Sequence, residues 1–266
     1  MKRDIYIEKS LAEGKKKVFI FLLALVLIGG LHSVKAQVNS YTFLQATGTY
    51  TALTTGRTIL ATATVNATTD PGFLGDIVYT LPDSTIPFDF GFDGYKYRKL
   101  YISTNGFITF RSAPTISNYI PISSSEGYAG AICALGLNLN ANTNSTNLGE
   151  ISYQVLGTAP NRTFVIQFSK FRRSSNSTSF TENYNFQFQL SESGGILGTQ
   201  TIKVVYGTCT TTNTNTGTSS NPQIGIRGPF NTYPNNVNNR TSTTSWSAST
   251  AGTVNTSVVY IVWIGI

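Results

Sequence analysis

The residues able to do chemistry are few, and their types decide much before any element is placed. Nine carboxylates lie beyond residue 36: Asp70, Asp76, Asp83, Asp89, Asp93, Glu126, Glu150, Glu182 and Glu192. Two carboxylates suffice for glycoside hydrolysis, one as acid and the other as base or nucleophile. No catalytic motif joins these nine, and scattered acids ordinarily solubilise a surface. The only histidine, His32, precedes them all. Removal of residues 1–36 would take with it the Ser-His-Asp and Cys-His arrangements and histidine-ligated zinc. Asp70 and Asp76 flank a glycine-containing loop, but calcium takes about six to eight oxygens and this spacing matches no dedicated loop. No catalytic residue, metal or other cofactor is therefore expected.

Cys133 and Cys209 are the only cysteines. In an exported chain an even count fits a disulfide, here closing a loop of about 75 residues and contributing roughly 3–4 kcal/mol. It fits equally well two buried thiols packed as small hydrophobes. Both readings stay open. Binding chemistry rests with aromatic residues in or beside loops: Tyr95, Tyr97, Tyr119, Tyr128, Tyr233 and Trp246. A ring face stacks on a sugar while neighbouring Asn and Asp groups hydrogen-bond its hydroxyls. Tyr95, Tyr97, Tyr119, Tyr233 and Trp246 are the candidate ligand contacts, against the alternative that such rings pack on the core.

The net charge of +7 suggests an anionic partner until the charges are located. The first 36 residues hold seven bases against three acids, the remainder twelve against nine. That first stretch reads as an export signal: Lys15-Lys16-Lys17, an apolar run from residue 18 to 31, then Ser33-Val34-Lys35-Ala36. The run is about 14 residues long, where a spanning helix needs roughly 20. Cleavage near Ala36 is expected, leaving a secreted or outer-surface protein that meets a membrane only through its signal. The basic clusters Lys96-Tyr97-Arg98-Lys99 and Lys170-Phe171-Arg172-Arg173 are expected to be solvated faces, and nucleic acid is not an expected partner.

The elements that must position these residues are strands. Beyond residue 36 helical periodicity is nearly absent, and short β-branched and aromatic runs recur between Gly, Asn, Asp, Ser and Pro clusters. Strands are predicted at 41–44, 49–54, 58–65, 77–81, 86–92, 99–104, 107–111, 129–139, 150–155, 163–171, 184–191, 201–206, 222–226 and 258–264. Asp93-Gly94 and Asn105-Gly106 are predicted two-residue hairpin turns with positive φ, which would join 86–92, 95–104 and 107–110 into a three-stranded meander. The Asn/Thr/Ser-rich stretches 138–147, 174–179, 208–220 and 235–250 read as solvated loops. No linker divides residues 37–266, so one all-β domain is expected after the helical signal: an antiparallel β-sandwich, jelly-roll-like.

The run Ile86-Pro87-Phe88-Asp89-Phe90-Gly91-Phe92-Asp93-Gly94-Tyr95 with Leu100-Tyr101-Ile102-Ser103-Thr104-Asn105-Gly106-Phe107-Ile108-Thr109-Phe110 resembles the opening of nidogen-like domains. It is also similar to β-sandwich modules of exported surface proteins of the Bacteroidota. Gly149-Glu150-Ile151-Ser152-Tyr153, Asn185-Phe186-Gln187-Phe188-Gln189-Leu190 and Ile202-Lys203-Val204-Val205-Tyr206-Gly207 extend the resemblance. It implies a non-catalytic adhesion or interaction module whose partner is an extracellular protein or a glycan surface. A carbohydrate-binding domain is the first alternative and a carboxylate-only glycoside hydrolase the second.

Overall fold

Alternation of apolar and polar residues with period two builds the strand Glu182–Ser191, whereas Gly130–Gly136 is apolar and buried along its whole length. In Asn185-Phe186-Gln187-Phe188-Gln189-Leu190 the phenylalanines and leucine are fully buried in the core, while the glutamines face the other way. The computed structural model describes residues 38–47, 49–174, 182–192, 200–211, 222–231, 237–239 and 259–264. All of them belong to one compact unit, Ala36–Ile266. The expected export signal lies outside them.

The strands are β1 (Thr42–Thr47), β2 (Thr58–Thr62), β3 (Val78–Leu81), β4 (Phe90–Phe92), β5 (Tyr95–Tyr97), β6 (Leu100–Ser103), β7 (Phe107–Phe110), β8 (Gly130–Gly136), β9 (Leu139–Ala141), β10 (Glu150–Leu156), β11 (Thr163–Arg173), β12 (Glu182–Ser191), β13 (Thr201–Tyr206), β14 (Thr210–Thr211), β15 (Gln223–Arg227), β16 (Val237–Asn239) and β17 (Val259–Ile264). The larger sheet runs β1-β17-β13-β12-β11-β10-β2, with β14 on β12 and β9 on β11. The smaller runs β16-β15-β8-β7-β6-β3, and β4-β5 is a separate hairpin. Every ladder among the described residues is antiparallel, so the fold is all-β, an antiparallel sandwich.

One core fills the space between the sheets. Ile166, Phe168, Phe186, Phe188 and Val204 from the larger sheet join Ile102, Ile108, Phe110, Ile132 and Ile226 from the smaller. Phe168 and Phe186 are register partners and stack at 4.7 Å with 13° between their planes. The Tyr206 hydroxyl of β13 crosses the core and donates to the Ala134 carbonyl of β8 at 2.5 Å. A second cluster, Phe107, Ile122 and Cys133, lies between the smaller sheet and the loop after β7.

Several expectations need correction. Residues 49–54 form no strand. They cross polar side chains of the larger sheet: Gln167 Oε1 accepts from Leu53 N–H at 2.7 Å, and Gln187 Nε2 donates to the Thr51 carbonyl at 2.8 Å. The meander is broken at Arg98-Lys99, so β4-β5 and β6-β7 belong to different sheets.

The Asp93-Gly94 turn has φ of +49° and +76° and joins the paired Phe92 and Tyr95, as a two-residue hairpin requires. The Asn105-Gly106 turn instead has three residues, because Ser103 pairs with Phe107 and only Gly106 has positive φ, +81°. Asn105 serves through its side chain, accepting from Leu139 N–H at 2.9 Å and donating to Asp76 at 3.1 Å. A Cβ at Gly106 would sit 2.2 Å from the Leu135 carbonyl oxygen.

The Asn-rich stretch 138–147 contains β9, with Asn140 buried. Arg173, expected on a solvated face, is buried beside Glu182, whose carboxylate accepts from the Arg173 main-chain N–H at 2.8 Å and lies 3.6 Å from its Nε.

Candidate functional site

The β4-β5 hairpin projects aromatic side chains because other elements hold its backbone. Gln200, just before β13 and 4% exposed, donates to the Asp89 carbonyl at 2.7 Å and accepts from Gly91 N–H. The Tyr41 hydroxyl accepts from Asp93 N–H at 3.1 Å, anchoring the turn. Beneath the hairpin Phe92 and Tyr97 pack on Phe110 of β7, with Tyr97 stacked at 4.7 Å. β8 approaches closely there, since a Cβ on Gly130 would meet the Phe92 ring at 2.3 Å.

Between this hairpin and two loops lies an open cleft of about 520 Å³, within the range of roughly 300–1,000 Å³ usual for ligand sites. Tyr95, Lys96 and Tyr97 line one wall, Arg111 and Ser112 follow β7, and Gly127, Tyr128, Ala129, Pro229 and Phe230 complete it. Phe230 is 64% exposed and Tyr95 48%. Burial pushes the Tyr97 and Tyr128 hydroxyls up to about 12, so both remain neutral at physiological pH, and that of Tyr128 donates to the Pro121 carbonyl.

The two loops are welded by Arg227. It is 1% exposed and lies 4.3 Å from the Tyr128 ring centroid. Its guanidinium donates to the carbonyls of Pro121, Ser124 and Glu126 in one loop and of Gly228 and Pro229 in the other. A planar group with five donors suits this work, whereas a lysine ammonium would reach fewer of them.

Arg111 has φ of +70°, and Ser112 N–H donates to the Phe110 carbonyl across it at 2.9 Å. This is a γ-turn of the rarer positive-φ kind, a conformation that costs on the order of 1–3 kcal/mol for a residue other than glycine. Arg111 pairs with no acid among the described residues. Lys96 lies 3.4 Å from Asp89, which also sits 3.8 Å from Arg98. No carboxylate lines the cleft.

Of the sequence candidates, the structure brings Tyr95 and Tyr97 together, with Tyr128 as their neighbour. Tyr119 is exposed but lies outside the cleft lining. Tyr233 and Trp246 lie outside the described residues. Arg111, Phe230 and Arg227 were not anticipated. Phe230 follows Gly228-Pro229, where a bulky apolar residue after a turn signal was an available clue.

Cys133 and Cys209 are both free, buried thiols. Cys133 Sγ donates to the Gln223 carbonyl at 3.0 Å and Cys209 Sγ to that of Asn185 at 3.5 Å. Asp70 closes its own loop, accepting from Gly75 and Asp76 N–H at 2.6 and 3.0 Å. No helix among the described residues is long and apolar enough to cross a membrane, which says nothing of a β-barrel.

No curated protein and no solved structure is matched by the chain. The NIDO-related family model matches residues 40–260, from the turn before β1 into β17, and so covers both sheets, the hairpin and the cleft. By that match the chain belongs to the nidogen-related family.

Proposed function

We propose that the protein is a non-catalytic adhesion or interaction module of the cell exterior, with the cleft of Tyr95, Tyr97, Tyr128 and Phe230 as its recognition face. Membership of a nidogen-related, generally non-enzymatic family supports an extracellular interaction role. The observation that carries the reading is the pairing of exposed rings with a rigid frame. Tyr95 and Phe230 are exposed, while Arg227 and Gln200 fix the loops and hairpin that bear them. A preorganised aromatic surface binds without losing much freedom on contact. Residues 1–36 act as the export signal and residues 37–266 as the single working domain.

Two measurements test this. In fractionated source cells the protein should appear in the medium or become protease-accessible on intact cells; retention wholly in the cytoplasm or inner membrane contradicts the reading. Cells or surfaces that bind the protein should lose it when Tyr95→Ala and Phe230→Ala are combined, with the unfolding midpoint unchanged. Undiminished binding by that variant places recognition elsewhere on the molecule.

A second reading, a carbohydrate-binding domain, is favoured by the cleft itself. Ring faces for stacking and neutral hydroxyl donors are the chemistry that sugars use.

A further inference from the structure

The charge of the cleft narrows its ligand. Its lining holds Arg111 and Lys96 and no carboxylate. Asp89 is shared between Lys96 and Arg98, one acid facing two cations. Glu126 adjoins the lining residue Gly127, but its carboxylate accepts from Thr115 N–H at 2.9 Å. Asp93, whose charge reaches Tyr97, is buried in the hairpin turn. The cleft therefore presents net positive charge beside exposed aromatic rings.

Arg111 sharpens the point. A glycine would adopt φ of +70° without strain, yet the position holds a long cationic residue that no acid among the described residues neutralises. Strain retained at a cleft points to use of the side chain. A guanidinium with free donors matches a carboxylate bidentately.

We propose, resting on the reading of this cleft as the recognition face, that its ligand is a carboxylated oligosaccharide of uronic-acid type. The sugar rings stack on Tyr95 and Phe230, the carboxylate meets Arg111, and the Tyr97 hydroxyl faces the ring hydroxyls, while the buried Tyr128 hydroxyl donates to the Pro121 carbonyl and serves the frame. An acidic peptide is the less suited partner. Strand addition needs a long free edge, and β5 has only three residues.

The test is calorimetric titration of the full chain with hexagalacturonate, hyaluronan hexasaccharide, methyl-esterified hexagalacturonate and hexaglutamate. At least one acidic saccharide is expected to bind, more weakly as salt rises, with the ester about tenfold weaker than hexagalacturonate or more. Arg111→Gly is expected to lower acidic-saccharide affinity by a similar factor and to abolish the preference for acid over ester. It should not lower Tm, an outcome that a merely structural arginine would not give. Equal affinity for acid and ester, with Arg111→Gly silent, overturns carboxylate recognition while leaving the cleft as the binding face. Binding of hexaglutamate and neither acidic saccharide overturns the proposal in favour of a peptide. Binding of none of the probes overturns it outright. Saccharide binding undiminished in the Tyr95→Ala, Phe230→Ala variant overturns both this proposal and the assignment of the cleft.

Discussion

The side-chain amide of Gln167 pairs with the backbone of Leu53 as a neighbouring strand would. Its Oε1 accepts from Leu53 N–H at 2.7 Å and its Nε2 donates to the Leu53 carbonyl at 3.3 Å. The same Oε1 accepts from Gln187 Nε2 at 2.9 Å, and Gln187 is the register partner of Gln167. Two glutamines on adjacent strands thus hold an extended segment that has no ladder of its own.

Gln167→Leu keeps the volume and removes both bonds, leaving a buried main-chain N–H without its acceptor. Stability should fall by about 2–3 kcal/mol, read from the denaturant midpoint. Amide exchange at Leu53 should rise ahead of the core strands. A midpoint within error of the parent would show that the segment is held by other contacts.

Arg227→Met should destabilise the chain by roughly 3 kcal/mol, because carbonyls from two loops lose a charged donor together. Arg227→Lys should recover only part of this, since an ammonium neither stacks as a plane nor forks. Thermal unfolding of the three proteins orders them, and lysine equal to arginine would contradict the multidentate role.

Glu150 accepts two bonds from Arg57, at 2.7 and 2.9 Å, and that partner holds its carboxyl below the usual carboxylate range. Its folded pKa lies below the unfolded value of about 4.3, so the stabilisation is present above that pH and is lost as pH falls through the folded value. The pair is partly exposed, and the contribution should be about 1 kcal/mol or less. Arg57→Ala should flatten the stability profile below about pH 4.3 and lower the plateau above it. Profiles of parent and variant that differ by a constant at all pH values would rule the linkage out.

Burial raises the Cys133 thiol, and it pushes Cys209 up to about 11, so at pH 8 roughly one Cys209 in a thousand is thiolate. A disulfide-exchange reagent such as Ellman's should leave the native chain unmodified and titrate two thiols after unfolding. No thiol released in denaturant would instead reveal a bridge.

Much of this was legible in the residue pattern, for reasons that differ by element. Strands with strict alternation, such as β12, and the Asp93-Gly94 turn are set by local chemistry, and they lie where that chemistry puts them. Residues 49–54 share the β-branched composition of a strand, but their fate depends on amides more than a hundred positions later, which no local window contains. The Arg173–Glu182 pair failed for the same reason: charge patterns predict exposure until a distant partner permits burial. At the cleft, aromatic content beside a turn was readable at Tyr95 and Tyr97. The backbone twist at Arg111 and the welding role of Arg227 emerge only once β7, β8 and β15 lie side by side.

β1 joins the larger sheet only through β17, which lies between it and β13. Thr42 therefore waits for Ile264, and among the described residues β1 has no ladder partner until β17 has been made. Pairings of such long range form slowly and late. Closure of this edge of the larger sheet is therefore expected among the last steps of folding, after the ladders between neighbouring strands have formed.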